Sequence, residues 1–519
     1  MVMRVTQQSI YGTVIAQNNS ALAKLMATNN QASTQKRINA PSDDPNGAVQ
    51  VLGTRTSISQ LTQYKSNIDA AQGWLTQADS TLTSASTLIT TIKGEAEQAA
   101  TGTVTAENRE EIASAVRQYF EQLISLANTT YGGQSIFAGQ KTDAEAYTMS
   151  LGLTSNDGEF DEALTDFPAP GYTIDGDTDS AILIQFTDTS ASPPDFEYTT
   201  DGGATWETGS YASPAPSADT QTLQLGGVSV TMSNTALGKA KQSDDHDDAE
   251  GTWLWIRPAA TYQGNTNDDV FATGANNAVS ASAEGAFSGN VQVRLDDTSG
   301  SPYAYSYSTD GGTSWVTGNT SGAAGATVTL SVPGGILTLD TSTAPADGDQ
   351  FFIQPSTADI SIAISPTDSV VVNGVGKDIF GGVYATTATD PGSGDTVKVY
   401  QAATFDGSDA GNLFETVGKL VGYLETNNQS GIQDCLEDLT TSQNQILVAA
   451  ASVGAKENRV DSTETMVTTL SQNATTTLSN VEDADLTELI TKLSEQELAY
   501  QAVLKSSSMV MNLSLVSYI

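Results

Sequence analysis

The chain has 519 residues, of which 61 are Asp or Glu and 21 are Lys or Arg, so its formal net charge at pH 7 is −40. This charge disfavours nucleic acid and anionic membrane surfaces as partners, because phosphate binding requires clustered basic residues that release counterions. The chain has one cysteine and one histidine. They exclude an internal disulfide, most zinc sites and any catalysis that needs two imidazoles.

The N-terminal part has the periodicity of helices. Ile10, Val14, Leu22 and Leu25 predict a first amphipathic helix, which would be only marginally stable alone. Apolar residues then recur at heptad spacing, with mostly small residues three positions after large ones: Leu61, Ile68, Leu75, Leu82 and Ile89, followed by Tyr64, Ala71, Ala78, Ala85 and Ile92. This pattern predicts a long helix that packs closely beside another helix.

The middle of the chain changes to the period of strands and contains an internal repeat. Short alternating runs separated by Gly, Asp, Ser and Pro predict an antiparallel β region. Three pairs of segments match: ILIQFTDT from Ile182 with VQVRLDDT from Val291, FEYTTDGGATW from Phe196 with YSYSTDGGTSW from Tyr305, and GTWLWIRP from Gly251 with GDQFFIQP from Gly348. We therefore expect two homologous β modules inserted into a helical protein.

Each module contains one turn of the pattern Ser/Thr-x-Asp-x-Gly-x-x-Trp, which resembles the Asp-box turn of sialidase-like β-propellers. The residues predicted to shape these turns are Asp201, Gly203, Trp206, Asp310, Gly312 and Trp315. The aspartate would accept hydrogen bonds inside the turn, and the glycine would supply a positive φ. We interpret both turns as structural devices, because a propeller requires about four or more blades.

Two acidic segments match a metal site only in part. DGDTDS from Asp175 begins like a calcium loop, but Phe186 stands where the bidentate glutamate belongs. His246 lies among aspartates with no second histidine. No phosphate loop or nucleophile elbow stands out either. We therefore expect no metal, no cofactor and no enzymatic activity.

The C-terminal part returns to heptad spacing. One register extends over about 50 residues, and its apolar positions are Ile432, Leu436, Leu439, Ile446, Ala450, Val453, Val460, Val467, Ala474, Leu478 and Val481. Polar residues interrupt it at Gln443, Glu457, Glu464 and Ser471 and either specify alignment or face solvent. A last amphipathic helix follows up to the C-terminus. Since both chain ends are amphipathic, we expect them to pair with each other or with neighbouring subunits.

Several separated motifs resemble the bacterial flagellin family. KRINAPSDDPNGAVQV from Lys36 is similar to the N-terminal signature of the family. MRVTQQSIYG from Met3, LANTTYGGQSIFAGQKTDAEAY from Leu126 and NLSLVSYI from Asn512 also look like this family and occur in its order. The detail is most similar to the hook-associated proteins at the junction of hook and filament. The resemblance covers about residues 1–150 and 357–519.

The resemblance and the residue patterns imply the same mixed, discontinuous α plus β architecture. Both chain ends would form a long, coiled-coil-like helical bundle, with two antiparallel β modules inserted in the middle. We expect a terminal helical inner domain from residues 1–48 with 484–519. A long-helix domain with a small β hairpin would comprise 49–165 with 357–483, and the β modules would comprise 166–262 and 263–356.

The resemblance also implies a structural role in the flagellum. Subunits would associate in a ring and stack through their terminal helices, with hook-associated protein 1 and flagellin as axial partners. A dedicated export chaperone would bind the C-terminal helix. The N-terminus MVMRVTQQSIYGTVIAQ has no continuous apolar run followed by a small-residue cleavage site, so we expect no secretory signal peptide. Secretion through the flagellar export apparatus to the outside would account for this. The residues predicted for these contacts are Ile10, Val14, Leu22, Leu25, Leu493, Tyr500, Leu504, Met511 and Leu515; the competing interpretation is packing within one subunit.

Two alternatives remain open at this point. A flagellin-like subunit would polymerise into the filament itself and be present in many more copies. A surface adhesin or carbohydrate-binding protein would use the β modules, through the two turns and through Trp253, Trp255 and Tyr303, which this hypothesis requires to be exposed. Residues 150–400 include 33 acidic and only 6 basic residues. The negative charge is therefore expected to solvate the modules rather than the helical ends.

Overall fold

The computed structural model describes residues 7–165, 172–213, 215, 219–246, 250–265, 270–275, 279–285, 287, 289–322, 325–355, 358–389, 396–402 and 411–516. In this part of the chain the helices are α1 (Gln7–Thr34), α2 (Pro45–Ala99), α3 (Ala106–Ala127), α4 (Gly158–Thr165), α5 (Asn234–Leu237), α6 (Gly376–Phe380), α7 (Leu413–Glu425), α8 (Gln429–Glu482) and α9 (Leu486–Val516). Long helices thus occupy both ends of the chain. The expected mixed class of helix and sheet is confirmed.

The strands occupy the middle of the chain. They are β1 (Thr130–Tyr131), β2 (Gln134–Ser135), β3 (Tyr147–Ser155), β4 (Tyr172–Asp175), β5 (Ile182–Asp188), β6 (Asp195–Thr199), β7 (Glu207–Thr208), β8 (Ser210–Tyr211), β9 (Thr220–Leu225), β10 (Val228–Ser233), β11 (Trp253–Tyr262), β12 (Val270–Gly274), β13 (Ala281–Gly285), β14 (Val291–Asp297), β15 (Ala304–Ser308), β16 (Val316–Thr320), β17 (Thr327–Val332), β18 (Gly335–Asp340), β19 (Gln350–Pro355), β20 (Ser361–Ala363), β21 (Ser369–Val371), β22 (Val383–Thr389) and β23 (Thr396–Ala402).

The chain divides into two compact units. The first contains residues up to 70, residues 363–369 and residues from 459 onward, and the second contains 71–362 and 370–458. The first unit holds α1, α9, the beginning of α2 and the end of α8. The β modules lie in the second unit.

The first β module is a sandwich of two sheets. One sheet has the strand order β23-β22-β11-β5-β6-β7, with β3 also paired to β11, and the other has the order β4-β10-β9-β8. Both sheets contribute to one core. The larger sheet extends beyond the predicted limits of 166–262, because β3 pairs with β11 along its length and β22 pairs with it in parallel. The remaining pairings of this module are antiparallel.

The second β module repeats this design with fewer strands. Its sheets have the orders β12-β19-β14-β15-β16 and β13-β18-β17, and they enclose a core of their own. The hairpin of β14 and β15 breaks register before Asp297, as the hairpin of β5 and β6 does before Asp188. These two positions match in the sequence repeat. The repeated segments therefore adopt the same strand pairing.

Side chains of α2 and α8 are hydrogen-bonded to each other in the second unit. Thr76 Oγ1 donates to Glu457 Oε1 over 3.1 Å, and Gln443 Nε2 donates to Thr90 Oγ1 over 2.8 Å. From the first bond to the second, the residue number rises by 14 in α2 and falls by 14 in α8, so the helices run antiparallel. Two of the polar residues that interrupt the heptads are thus held by partners on the other helix.

Helix α7 is absent from the sequence-based prediction and seals the first module. One of its faces is buried, with Phe414, Val417 and Leu420 among its fully buried side chains. It packs against α3 and β11. Gly418 allows the close approach to the sheet, because a Cβ at this position would overlap the carbonyl oxygen of Pro258.

Gly418→Ala is therefore expected to lower the free energy of unfolding of the second unit by about 1–3 kcal/mol, the usual cost of overpacking a tight contact. The matched control is Gly422→Ala, one turn further along α7. Its added Cβ would lie 3.4 Å from the nearest atom, Cβ of Arg257. Chemical denaturation of both variants tests the prediction, and equal stability would contradict it.

Candidate assembly site of the terminal helices

Helices α1 and α9 pair in antiparallel orientation in the first unit. The end of α1 lies beside the start of α9, where Ala484 N donates to the carbonyl oxygen of Gln35 over 3.0 Å. The two helices are in contact. Their less exposed positions recur at heptad spacing: Tyr11, Val14, Asn18, Ala21, Leu25 and Thr28 in α1, and Leu489, Leu493, Gln496, Tyr500, Val503 and Ser507 in α9. We call these twelve residues the terminal seam.

The predicted contact residues fall into three groups. Val14, Leu25, Leu493 and Tyr500 are half-buried in the terminal seam. Leu22 and Leu504 are exposed. The side chains of Ile10, Met511 and Leu515 lie outside the described part of the structure. Four of the nine residues thus lie between two helices of one subunit, and the contact of all nine with other subunits stays a prediction.

Further apolar side chains on the two helices are exposed and are not among the nine predicted contact residues. They are Ile15, Met26, Leu486, Ile490, Leu498 and Met509. The signal that identifies all of them except Leu486, which continues the heptad register of α9, is an apolar residue outside the heptad positions of an amphipathic helix. Together with Leu22 and Leu504 they form what we call the outward apolar set.

The terminal seam includes polar groups that weaken it. The side-chain oxygens of Asn18 and Gln496 are buried, and neither has a hydrogen-bond partner within the described residues. A buried polar atom without a partner costs about 1–3 kcal/mol. The pairing of α1 with α9 is therefore loosely held in a single subunit.

A compact joint connects the terminal helices to the long helices. The Glu482 carboxylate is almost fully buried and forms ion pairs with Lys36 and Arg55. Arg37 N donates to the backbone oxygen of Glu482 over 2.7 Å. Burial alone would raise the pKa of Glu482, but hydrogen bonds from Lys36 and Arg55 outweigh it and hold this pKa below its ordinary value. The Glu482 carboxylate thus connects the end of α8 to two segments: the residues that precede α2, through Lys36, and the first part of α2, through Arg55.

Glu482→Gln is expected to lower the stability of the first unit by about 1–2 kcal/mol, since Lys36 and Arg55 remain half-exposed and water screens the loss. Because the folded-state pKa of Glu482 lies below its unfolded value, its contribution is present above that unfolded value and disappears as the pH falls through the folded one. Hydrogen exchange at the amides of Arg37 and Ala484 measures the effect. Glu497→Gln, at an exposed position of α9, is the control and should leave both amides protected.

The family-like motif PSDDP forms the turn before α2. Asp43 Oδ2 accepts hydrogen bonds from the amides of Asn39 and Ala40, at 3.0 and 2.9 Å. Asp44 Oδ1 accepts one from the amide of Gly47 over 3.0 Å, and this bond is the main cause that lowers the pKa of Asp44. The two aspartates therefore fix the direction in which α2 leaves the joint.

The turns of the two β modules share their internal hydrogen bonds. Asp201 accepts bonds from the amide and the hydroxyl of Thr205, at 2.9 and 2.6 Å. Asp310 accepts the same bonds from Ser314 at the same distances. These bonds lower the pKa of each aspartate to about 2. Gly203 and Gly312 have φ values of +96° and +86°.

The tryptophans of these turns have different neighbours. Trp315 Nε1 donates to the backbone oxygen of Gly312 over 3.1 Å. Trp206 instead stacks on His246, with ring centroids 4.1 Å apart. His246 Nε2 lies 3.3 Å from a carboxylate oxygen of Glu197. The single histidine therefore packs beside a turn of the first module.

One assumption behind the carbohydrate hypothesis is wrong. Trp255 is only 3% exposed, because α7 covers it. Its Nε1 donates to Thr426 Oγ1 over 2.9 Å. Trp253 and Tyr303 are half-buried. Alternation along a strand could not reveal this, because the covering helix lies far away in the sequence.

The described residues contain no group of three or more His, Cys, Asp or Glu side chains placed to hold a metal ion. Within the same residues no helix has the length and apolar character that crossing a membrane requires. Burial raises the pKa of the Cys435 thiol to about 12. This cysteine is therefore protonated and unreactive at neutral pH.

Comparison with known proteins shows which family the N-terminal region resembles. Residues 5–142 match the family described as the bacterial flagellin N-terminal helical region. This stretch spans α1, α2, α3 and the short hairpin β1–β2. The resemblance to the flagellin family is confirmed.

Among individual proteins, the chain is similar to flagellar hook-associated protein 3. It is 32% identical to that protein of Salmonella typhimurium over 151 residues, which cover 29% of this chain and 48% of the relative. The protein of the same name from Escherichia coli is 29% identical over 194 residues, covering 37% and 61%. The matches thus span about half to three fifths of these relatives.

Two further comparisons concern a flagellin and a solved structure. Flagellin A of Helicobacter pylori is 32% identical over 131 residues, covering 23% of this chain and 26% of the flagellin. The crystal structure of flagellar hook-associated protein 3 from Legionella pneumophila is 12% identical, with a TM-score of 0.31, and the comparison covers 82% of this chain and 98% of that one.

Proposed function

We propose that this chain is a structural, non-enzymatic subunit of the bacterial flagellum that forms the junction between hook and filament. The observation that carries the proposal is the similarity of the chain to two proteins named flagellar hook-associated protein 3. The helical ends support it, because they expose apolar side chains on a loosely held helix pair. Ile15, Leu22 and Met26 are seven and four positions apart, which places them on one face of α1, and exposed apolar faces are typical of protein contacts.

In this proposal the terminal helices are the assembly elements. Subunits associate in a ring, and α1 and α9 of each subunit stack against neighbouring axial proteins, hook-associated protein 1 on one side and flagellin on the other. The helices form a coiled-coil-like bundle there, in which the outward apolar set becomes buried. Burial of apolar surface contributes roughly 25 cal/mol per Å², which favours assembly over the isolated pair.

The proposal also includes the route to this site. The chain is exported by the flagellar apparatus, and a dedicated chaperone covers the C-terminal helix before secretion. The exposed apolar residues Ile490, Leu498 and Met509 on α9 are the surface that a chaperone would shield. The β modules then lie on the outside of the flagellum, where their acidic residues favour solvation.

Immunogold labelling of isolated flagella tests the location. Label confined to the boundary of hook and filament is the expected result. Label along the whole filament would instead support a flagellin-like subunit, and label on the cell surface away from flagella would contradict both. The flagellin alternative is not favoured, because Flagellin A matches over only 26% of its length, against 48% and 61% for the hook-associated proteins.

A further inference from the structure

The internal repeat provides two copies of one sheet face, and they have different surroundings. In the first module this face contains Trp255 and Arg257 on β11, and α7 covers it. The Trp255 ring packs edge-on against Tyr423, with centroids 5.3 Å apart, and Arg257 pairs with Glu415. In the first module, this face is thus covered by a helix whose small residues, Gly418 and Gly422, allow it to approach the sheet closely.

In the second module the matching positions are exposed. Phe352 replaces Trp255 and Gln354 replaces Arg257 in the aligned segments. Phe352 is 42% exposed, and Phe271 on the adjacent strand β12 is 59% exposed. We call the residues of this surface the open sheet face: Phe271, Thr273, Gln292, Arg294, Phe352 and Gln354.

The open sheet face has the composition of a protein interface. Arg294 lies 4.8 Å from the ring centroid of Trp315 and forms an ion pair with Asp296 over 3.0 Å. The face therefore combines aromatic rings, amides and one guanidinium, whose charge the neighbouring Asp296 balances, and this mixture is typical of non-obligate interfaces. The rest of the chain is strongly acidic, so two copies repel each other elsewhere and least at this face.

Helix α8 exposes a surface that matches this face. Leu447 and Val448 are 49% and 63% exposed, and Ala451 and Ala455 are exposed on the following turns. No charged residue occurs from 439 to 455. The two alanines have the same spacing of four as Gly418 and Gly422, so this helix also permits close approach to a sheet. We call these four residues the open helix stripe.

We propose that the open sheet face of one subunit binds the open helix stripe of a second copy of this chain. The inference rests on the proposed function, in which copies stand side by side. The contact reproduces between subunits the sheet-on-helix packing that α7 provides inside the first module. It is heterologous, because two different surfaces meet, and such contacts generate rings when the rotation closes.

Disulfide trapping in assembled flagella tests this contact. Cells express two tagged full-length variants together, Phe352→Cys and Val448→Cys, and isolated flagella are oxidised. Native Cys435 does not interfere, since its side chain is buried and out of reach of a second chain. A mixed dimer carrying both tags should form at least about tenfold more than in the control pair Ser331→Cys with Val448→Cys, because a formed contact raises the local thiol concentration greatly. Ser331 is exposed on the other sheet of the same module.

Three outcomes would overturn the inference. One is a mixed dimer no more abundant than in the control pair, and another is a dimer of two Phe352→Cys copies without the mixed one. The third is a link from residue 352 to a different protein. The cross-linked products and the immunogold label are measured in the same flagella. If the chain is absent from the junction, the proposed function is rejected. Presence without the mixed dimer would reject this contact alone.

Discussion

Removal of residues 484–519 is expected to abolish incorporation of the chain into flagella while the β modules stay folded. Without α9, α1 loses its partner in the terminal seam, and the joint loses the hydrogen bond from Ala484 N to the carbonyl oxygen of Gln35. The modules have separate cores and retain them. Immunogold labelling measures incorporation, and near-UV circular dichroism of the purified truncation measures the fold of the modules.

A full-length variant separates assembly from export. Ile15→Ser combined with Met26→Ser changes two members of the outward apolar set on α1, outside the helix that the proposed chaperone covers, and leaves the terminal seam intact. We expect this variant to reach the culture medium and to remain absent from the flagella. The matched control is Leu25→Met, a volume-conserving change in the seam that should assemble. Normal incorporation of both the truncation and the double variant would contradict the assembly role of the terminal helices.

Glu415→Ala is expected to produce the largest loss of stability in the second unit. The Arg257 side chain is 1% exposed, and its guanidinium lies 2.5 Å from Glu415 Oε2. Removal of the carboxylate leaves a buried, unpaired charge, which costs about 3–5 kcal/mol. Chemical denaturation followed by tryptophan fluorescence measures the change, since Trp255 packs under the same helix.

The double variant Arg257→Met with Glu415→Leu is the control for this prediction. It removes both charges and keeps the volume, so stability should return to within about 1–2 kcal/mol of the parent. Burial alone would raise the pKa of Glu415, but Arg257 outweighs it and lowers the value. The pair therefore stabilises the fold above the unfolded pKa of this carboxyl, and its contribution decreases as the pH falls through the folded one. If Glu415→Ala has the same free energy of unfolding as the parent, the pair of Arg257 and Glu415 is not buried.

Local periodicity was sufficient to predict the long helices and the repeated modules. The heptads of α2 and α8 appear in the sequence because one side of each helix packs continuously, from Ala71 to Ile92 in α2. The repeat appears because two segments kept the same strands and turns. From the sequence, Gln443 and Glu457 could either specify the alignment of the helices or face solvent. Their hydrogen bonds to Thr90 and Thr76 show that they connect α8 to α2.

Contacts between distant segments account for what sequence reasoning missed. Helix α7 is short and contains two glycines, and it is stable because β11 and α3 cover it. Arg257 and Glu415 are 158 positions apart, so no local pattern connects them. The pairing of α1 with α9 was one of two expectations. The sequence could not predict which of their apolar residues lie in the terminal seam and which in the outward apolar set, because this depends on the register of one helix against the other.

The antiparallel pairing of α2 and α8 makes their lengths interdependent. Since Thr76 meets Glu457 and Thr90 meets Gln443, an insertion in one helix displaces every later bond unless the other helix gains the same number of residues. An insertion in a loop of either β module displaces none of these bonds. Change in length during evolution should therefore accumulate in the modules, whereas the helices should vary only in matched steps.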